Sequence, residues 1–210
     1  MLTAPALAAL AVALAGALPP PSAAAEALAR RVEARQRGIQ DLQGRFTQTY
    51  RSGVLGRDVV ERGTVSVKRP GRMRWEYRDP EAKTFVSDGK SFYFYVPADK
   101  QVIVRDQGDS RGVTALLLSG KLDILAQFDV GLETTPAGAP RLRLSPRTPE
   151  GEVERIYLEV DATDRIRTIE ILDPQGNRSR FDFQDLRENV GLPDRLFHFE
   201  VPRGVEVVTG

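Results

Sequence analysis

Between Gly63 and Val96 the chain reads GTVSVKRPGRMRWEYRDPEAKTFVSDGKSFYFYV, and no other stretch restricts the fold as much. Four short apolar-alternating runs, Gly63–Val67, Met73–Tyr77, Thr84–Ser87 and Ser91–Val96, are set apart by Arg69-Pro70-Gly71, Asp79-Pro80 and Asp88-Gly89. A side-chain period of two, punctuated by residues that turn the chain, specifies an antiparallel meander. Asp-Gly is a good hairpin signal, because glycine accepts the positive φ of a tight turn. In Met73–Tyr77 the alternation is clean, with Met73, Trp75 and Tyr77 on one face and Arg74 and Glu76 on the other. One face of the sheet is therefore apolar and the other wet. Phe92-Tyr93-Phe94-Tyr95 has no polar face by residue type, and its tyrosines are expected on the outer face with their hydroxyls reaching water.

The rest of the chain extends this pattern. Leu42–Arg51 and Val59–Val67 lead into the meander, and Gln101–Arg105 follows it. Further strands are expected at Val130–Thr134, Arg141–Ser145, Glu154–Val160, Arg165–Leu172, Asn177–Leu186 and Leu196–Val201, with His198 on the outer face of the last. Two segments break the alternation. Glu26 to about Arg37 has helical spacing and is ended near Gly38, and Asp106–Phe128 reads as two short helices, roughly Arg111–Ser119 and Leu122–Gln127. A sheet of about 11 strands curls. If it fails to close, the expected class is α+β: an incomplete, unclosed antiparallel barrel with an N-terminal helix and short lid helices over its concave apolar face.

Two short helices cover a concave face only in part, and the remainder is a cavity. Its expected lining is Phe46, Val65, Val67, Met73, Trp75, Phe85, Phe92, Phe94, Leu116, Leu117, Leu142, Ile156, Leu158, Ile169, Phe181 and Phe183. The competing reading of each is that it fills a core.

Composition narrows the function classes. With 30 Lys+Arg against 29 Asp+Glu, the net charge of +1 supplies no field to attract nucleic acid. There is no cysteine and a single histidine, so thiol chemistry and His- or Cys-ligated metals have no residues to use. Phosphate-loop, zinc-protease and nucleophile-elbow motifs are absent from the sequence, so no enzymatic activity and no cofactor are expected. At the N-terminus, Leu7–Leu18 is an uncharged Ala/Leu run, followed by three prolines and then Ser22-Ala23-Ala24-Ala25. An apolar run before small residues is a secretory leader, expected to be cut after Ala25. The alternative, a retained anchor, has fewer apolar residues than the ~20 that spanning requires. Residues 26–210 then form one domain.

Lys68-Arg69-Pro70, Trp75, Pro80, Val86-Ser87-Asp88-Gly89-Lys90, Tyr93, Tyr95 and Pro97, in this order and spacing, resemble the core of the periplasmic outer-membrane lipoprotein carrier family. The match runs from roughly Phe46 to Val104. The resemblance implies a periplasmic, monomeric carrier that holds the acyl chains of lipoproteins in its cavity. Its partners would be acylated lipoproteins, an inner-membrane lipoprotein-releasing transporter and an outer-membrane receptor. Arg69 aligns with an arginine that in the family latches the lid through hydrogen bonds to backbone carbonyls; its planar five-donor fork suits that role. Met73 stands where the family often has Phe. Carriage or sensing of another lipid on the same fold, and a filled scaffold that only binds partners, are the alternatives.

Overall fold

The computed structural model describes residues 21–106, 123–148 and 153–209. Twelve strands form one sheet. The first meander runs through β1 (Asp41–Arg51), β2 (Asp58–Lys68), β3 (Arg72–Asp79), β4 (Lys83–Asp88), β5 (Ser91–Val96) and β6 (Gln101–Asp106). A second runs through β7 (Phe128–Thr134), β8 (Pro140–Pro146), β9 (Arg155–Val160), β10 (Ile166–Leu172) and β11 (Arg178–Glu188). β1 and β11 pair antiparallel and merge the two meanders, while β12 (Glu206–Thr209) adds in parallel to β6. β12 and β7 end the strand order, so among the described residues the barrel is unclosed, as expected, with 12 strands where about 11 were expected.

The curl depends on two glycines beside irregularities in register. The β1–β11 register shifts between Gln43 and Arg45, and the β2–β3 register between Arg62 and Gly63. A Cβ on Gly44 would lie 2.8 Å from the Gln184 carbonyl oxygen, and one on Gly63 only 2.0 Å from the Glu76 carbonyl oxygen. Such close backbone approach bends a strand and excludes any side chain.

The main core lies inside the curl. Phe46 sits between Trp75 and Tyr77, with both ring centroids at 4.8 Å in edge-to-face geometry. Leu142, Leu144, Ile156, Leu158 and Ile169 are wholly enclosed beside them. Helix α1 (Pro21–Arg37) adds Ala25, Leu28, Ala29 and Val32 to this core and packs on β7. It begins at Pro21, ahead of the expected Glu26. A single turn, α2 (Ile124–Gln127), occupies the place of the second expected lid helix. The first, Arg111–Ser119, with Leu116 and Leu117, lies outside the described residues.

The C-terminal segment departs from the expected strand at Leu196–Val201. Asp194–Phe197 is a turn of 3-10 helix, and irregular chain follows it. Phe197 and Phe199 are spaced as in a strand because both anchor a strap across the convex face of the sheet. Phe197 is buried, the 3-10 turn packs on β3 and β4, and Phe199 lies 5.3 Å from Tyr93 and 5.7 Å from Tyr95, centroid to centroid. By register Tyr93 and Tyr95 share that face with Val86 and Val102, both at 0% exposure. The tyrosines are thus on the outer face as expected, but Phe199 covers them. His198 is exposed in the irregular chain rather than on a strand.

Asp41 starts the strap. Its carboxylate accepts hydrogen bonds from the amides of Val190 (2.8 Å), Gly191 (3.0 Å) and Leu192 (3.1 Å), and its residue is 5% exposed. Lys68 Nζ then donates to the Leu192 carbonyl and to Asp194, both at 2.6 Å. Asp41→Ala leaves three amides without their charged acceptor, and a loss of about 3 kcal/mol is expected in urea unfolding. A loss below about 1 kcal/mol would mean that water replaces the carboxylate without penalty.

Candidate functional site

On the concave side the register aligns Val65, Trp75, Phe85, Phe94 and Ile103 in one row across β2 to β6. Burial falls along it, from Val65 at 0% and Trp75 at 6% exposure to Phe85, Phe94 and Ile103, which are half-buried. Phe85 and Phe94 stack at 4.4 Å with planes 15° apart, and Phe92 lies 6.0 Å from Phe85. The expected lining therefore divides. Phe46, Val65, Val67, Trp75, Leu142, Ile156, Leu158, Ile169, Phe181 and Phe183 are members of one buried core. Met73 and Phe85 are partly buried against it. Phe92 and Phe94 are half-buried on β5, outside that core.

A polar girdle bounds the apolar surface towards the β1–β2 turn. Tyr77 donates its hydroxyl to Gln48 Oε1 at 2.6 Å, and Lys83 pairs with Glu61 at 2.6 Å while its ammonium lies 4.4 Å from the Tyr77 ring centroid. Burial, reinforced by the Glu61 charge, pushes the Tyr77 phenol above the ordinary tyrosine range, so it stays a neutral donor.

Arg69 follows β2 and reaches α1. Its guanidinium donates to the carbonyl of Arg37 at 3.2 Å and to that of Gln36. These are among the last carbonyls of a helix, which lack intrahelical donors and attract a cation. Burial holds the guanidinium below the usual arginine range, still far above neutrality. Among the described residues, then, the carbonyls that Arg69 holds belong to α1 and not to a lid helix. From α1 the connection continues. Glu33 Oε1 accepts from the amides of Ile124 (2.6 Å) and Leu125 (3.2 Å), and Asp123 caps the same turn through Ala126 N at 3.1 Å. Arg69 thus fixes the helix that fixes α2. Sequence reasoning missed Glu33 and Asp41. Glu33 looks like one more charge on an amphipathic helix, and Asp41 like an ordinary residue after a helix end; partners 91 and about 150 positions away give neither a local signature.

The convex side holds a different recess, an open groove of about 420 Å³ between the strap and β1 to β3. Gln43, Arg45, Ser66, Arg74 and Glu76 line it. Arg74 pairs with Glu76 at 2.6 Å, and this polar surface does not suit an apolar ligand.

An unclosed sheet with an apolar, incompletely buried concave face defines the class of open half-barrels. The sequence profile of "Outer membrane lipoprotein carrier protein LolA" matches residues 37–200. The outer-membrane lipoprotein carrier protein of Methylococcus capsulatus is 33% identical over 168 residues, which cover 79% of this chain and 80% of that protein. Its counterpart in Bordetella avium is 31% identical over 194 residues, or 91% and 92% of the two chains. Among solved structures, an uncharacterized conserved protein from Thermus thermophilus superposes with a TM-score of 0.56 at 17% identity, over 89% of this chain and 99% of that one, a likeness of fold alone. The chain belongs to the LolA family of outer-membrane lipoprotein carrier proteins.

Proposed function

We propose that this protein carries the acyl chains of lipoproteins on its concave face and moves them through the periplasm from the inner to the outer membrane, without enzymatic chemistry. One observation carries the reading beyond family membership: Phe85, Phe92 and Phe94 form an aromatic surface on β4 and β5 that the core does not fill. Acyl chains leaving water contribute roughly 0.8 kcal/mol per buried CH₂, so a partial cover gives strong but reversible holding. Leu116 and Leu117 are assigned to the cover. An inner-membrane releasing transporter would load the protein and an outer-membrane receptor unload it. Residues 1–25 are the cleaved leader and 26–210 the carrier domain. A cut after Ala25 trims the first turn of α1 and one small core side chain, and leaves Leu28, Ala29 and Val32 in place.

Native mass spectrometry of the mature protein from its own periplasm tests all of this together. Acylated lipoprotein on a chain beginning at Glu26 is the expected result. Phospholipid alone would instead identify a carrier of another lipid.

Arg69 is the latch in this reading, acting through α1. Arg69→Leu is expected to fold and to bind an apolar dye, yet to transfer lipoprotein about tenfold more slowly, as the loss of two charge-assisted hydrogen bonds allows. Transfer at the wild-type rate in a reconstituted assay would remove Arg69 from the mechanism.

A further inference from the structure

Five of the nine exposed large hydrophobic residues among those described fall within 50–60: Tyr50, Val54, Leu55, Val59 and Val60. They surround the β1–β2 turn. Scattered exposed apolar residues are ordinary, but a cluster on one hairpin needs a reason. Folding supplies none for the tip, where Val54 is 86% and Leu55 72% exposed. The backbone beneath them is nevertheless well tied. Gly53 N donates to Asn177 Oδ1 at 3.0 Å, Leu55 N to Ser52 Oγ at 3.2 Å, and Gly56 N to the Ser52 carbonyl at 3.0 Å. A Cβ on Gly53 would lie 2.7 Å from the Gln175 carbonyl oxygen, so the β10–β11 turn braces the hairpin.

The charges beside the tip are mostly positive. Residues 50–60 carry Arg51 and Arg57 against Asp58. Asp58 pairs with Arg51 at 3.3 Å, whereas exposed Arg57 has no ion pair among the described residues. Arg178, opposite Arg51 in the β1–β11 register, is also exposed, though it pairs with Glu170 at 3.4 Å.

We infer that this hairpin tip is a membrane-contact element, which places Val54 and Leu55 in the interfacial region of an anionic phospholipid bilayer while Arg57 and its neighbours meet the headgroups. Area argues against a protein partner. A stable protein interface takes about 800 Å² from each side, far more than two side chains on a narrow turn present. A bilayer asks for no shape complementarity, only apolar side chains to insert and cations beside them. The inference is independent of what the concave face carries.

The test uses the mature protein with vesicles of phosphatidylethanolamine and phosphatidylglycerol. Wild type is expected to co-sediment with them and less with pure phosphatidylcholine. The V54S/L55S variant, which alters only exposed side chains, is expected to bind about tenfold more weakly or worse, from the apolar contact removed. In Leu55→Trp, the added indole is expected to shift its emission to the blue when vesicles are present, against the constant background of buried Trp75. Equal sedimentation of wild type and V54S/L55S, no vesicle binding by wild type, or an unshifted indole would each overturn the inference. Saturable dye binding by V54S/L55S separates this outcome from any failure of the carrier reading.

Discussion

Replacing Phe46 by alanine is expected to lower stability by about 4 kcal/mol, the loss typical of a fully enclosed aromatic ring. The ring is 2% exposed and touches elements from both meanders: Trp75 and Tyr77 at 4.8 Å, and Phe181 at 6.4 Å. Gly63 makes its space, since a Cβ there would come within 2.9 Å of Phe46 Cε1. The surrounding strands are held by ladders on both sides of β1, so they close only in part on the void. For a domain of this size the melting temperature should fall by about 12 °C. Urea unfolding and calorimetry check both figures. A loss below about 1 kcal/mol would mean that the centre of the curl is loosely packed and itself part of the ligand space.

Phe94→Asp should behave in the opposite way. Phe94 is half-buried and, among the described residues, stacks only on the partly buried Phe85, so its removal is expected to cost the fold little, about 1 kcal/mol. The new carboxylate would sit in the apolar row proposed to hold a ligand chain. Saturable binding of an environment-sensitive apolar dye is expected to weaken about thirtyfold, equivalent to ~2 kcal/mol of lost apolar burial. If dye binding is unchanged while the protein loses several kcal/mol, β5 belongs to a filled core and the ligand surface lies elsewhere. With these outcomes, the two variants would divide the concave face into a half that holds the protein together and a half proposed to receive cargo.

That division could not be read from the sequence. Alternation located β1 to β6 closely, because a half-buried antiparallel strand writes its burial into every second residue. It gave Val65, Trp75, Phe85 and Phe94 the same face, and the register agrees. What alternation cannot express is how much of that face another element covers, so Leu158 at 0% exposure and half-buried Phe94 looked alike. Phe197 and Phe199 misled for a related reason. Two anchors spaced by two residues imitate a strand, and only the strap's crossing of β3 to β5 tells them apart. Four-residue β12 was not assigned from the sequence, because its parallel partner lies some hundred positions earlier. Arg69 was singled out from a motif, but its carbonyl partners on α1 came from the structure alone.

The unclosed sheet leaves two rims, and a rim of free peptide groups invites another strand to add to it. Here one rim strand has a helix packed on it and the other is only four residues long. α1 packs against β7 at one, and β12 occupies β6 at the other with Glu206 N bonded to the Lys100 carbonyl at 2.8 Å. Short edge strands and packed edges are among the devices that limit edge-to-edge growth, the hazard of any open sheet. A half-barrel can then stay open to a guest without opening itself to copies of its own backbone.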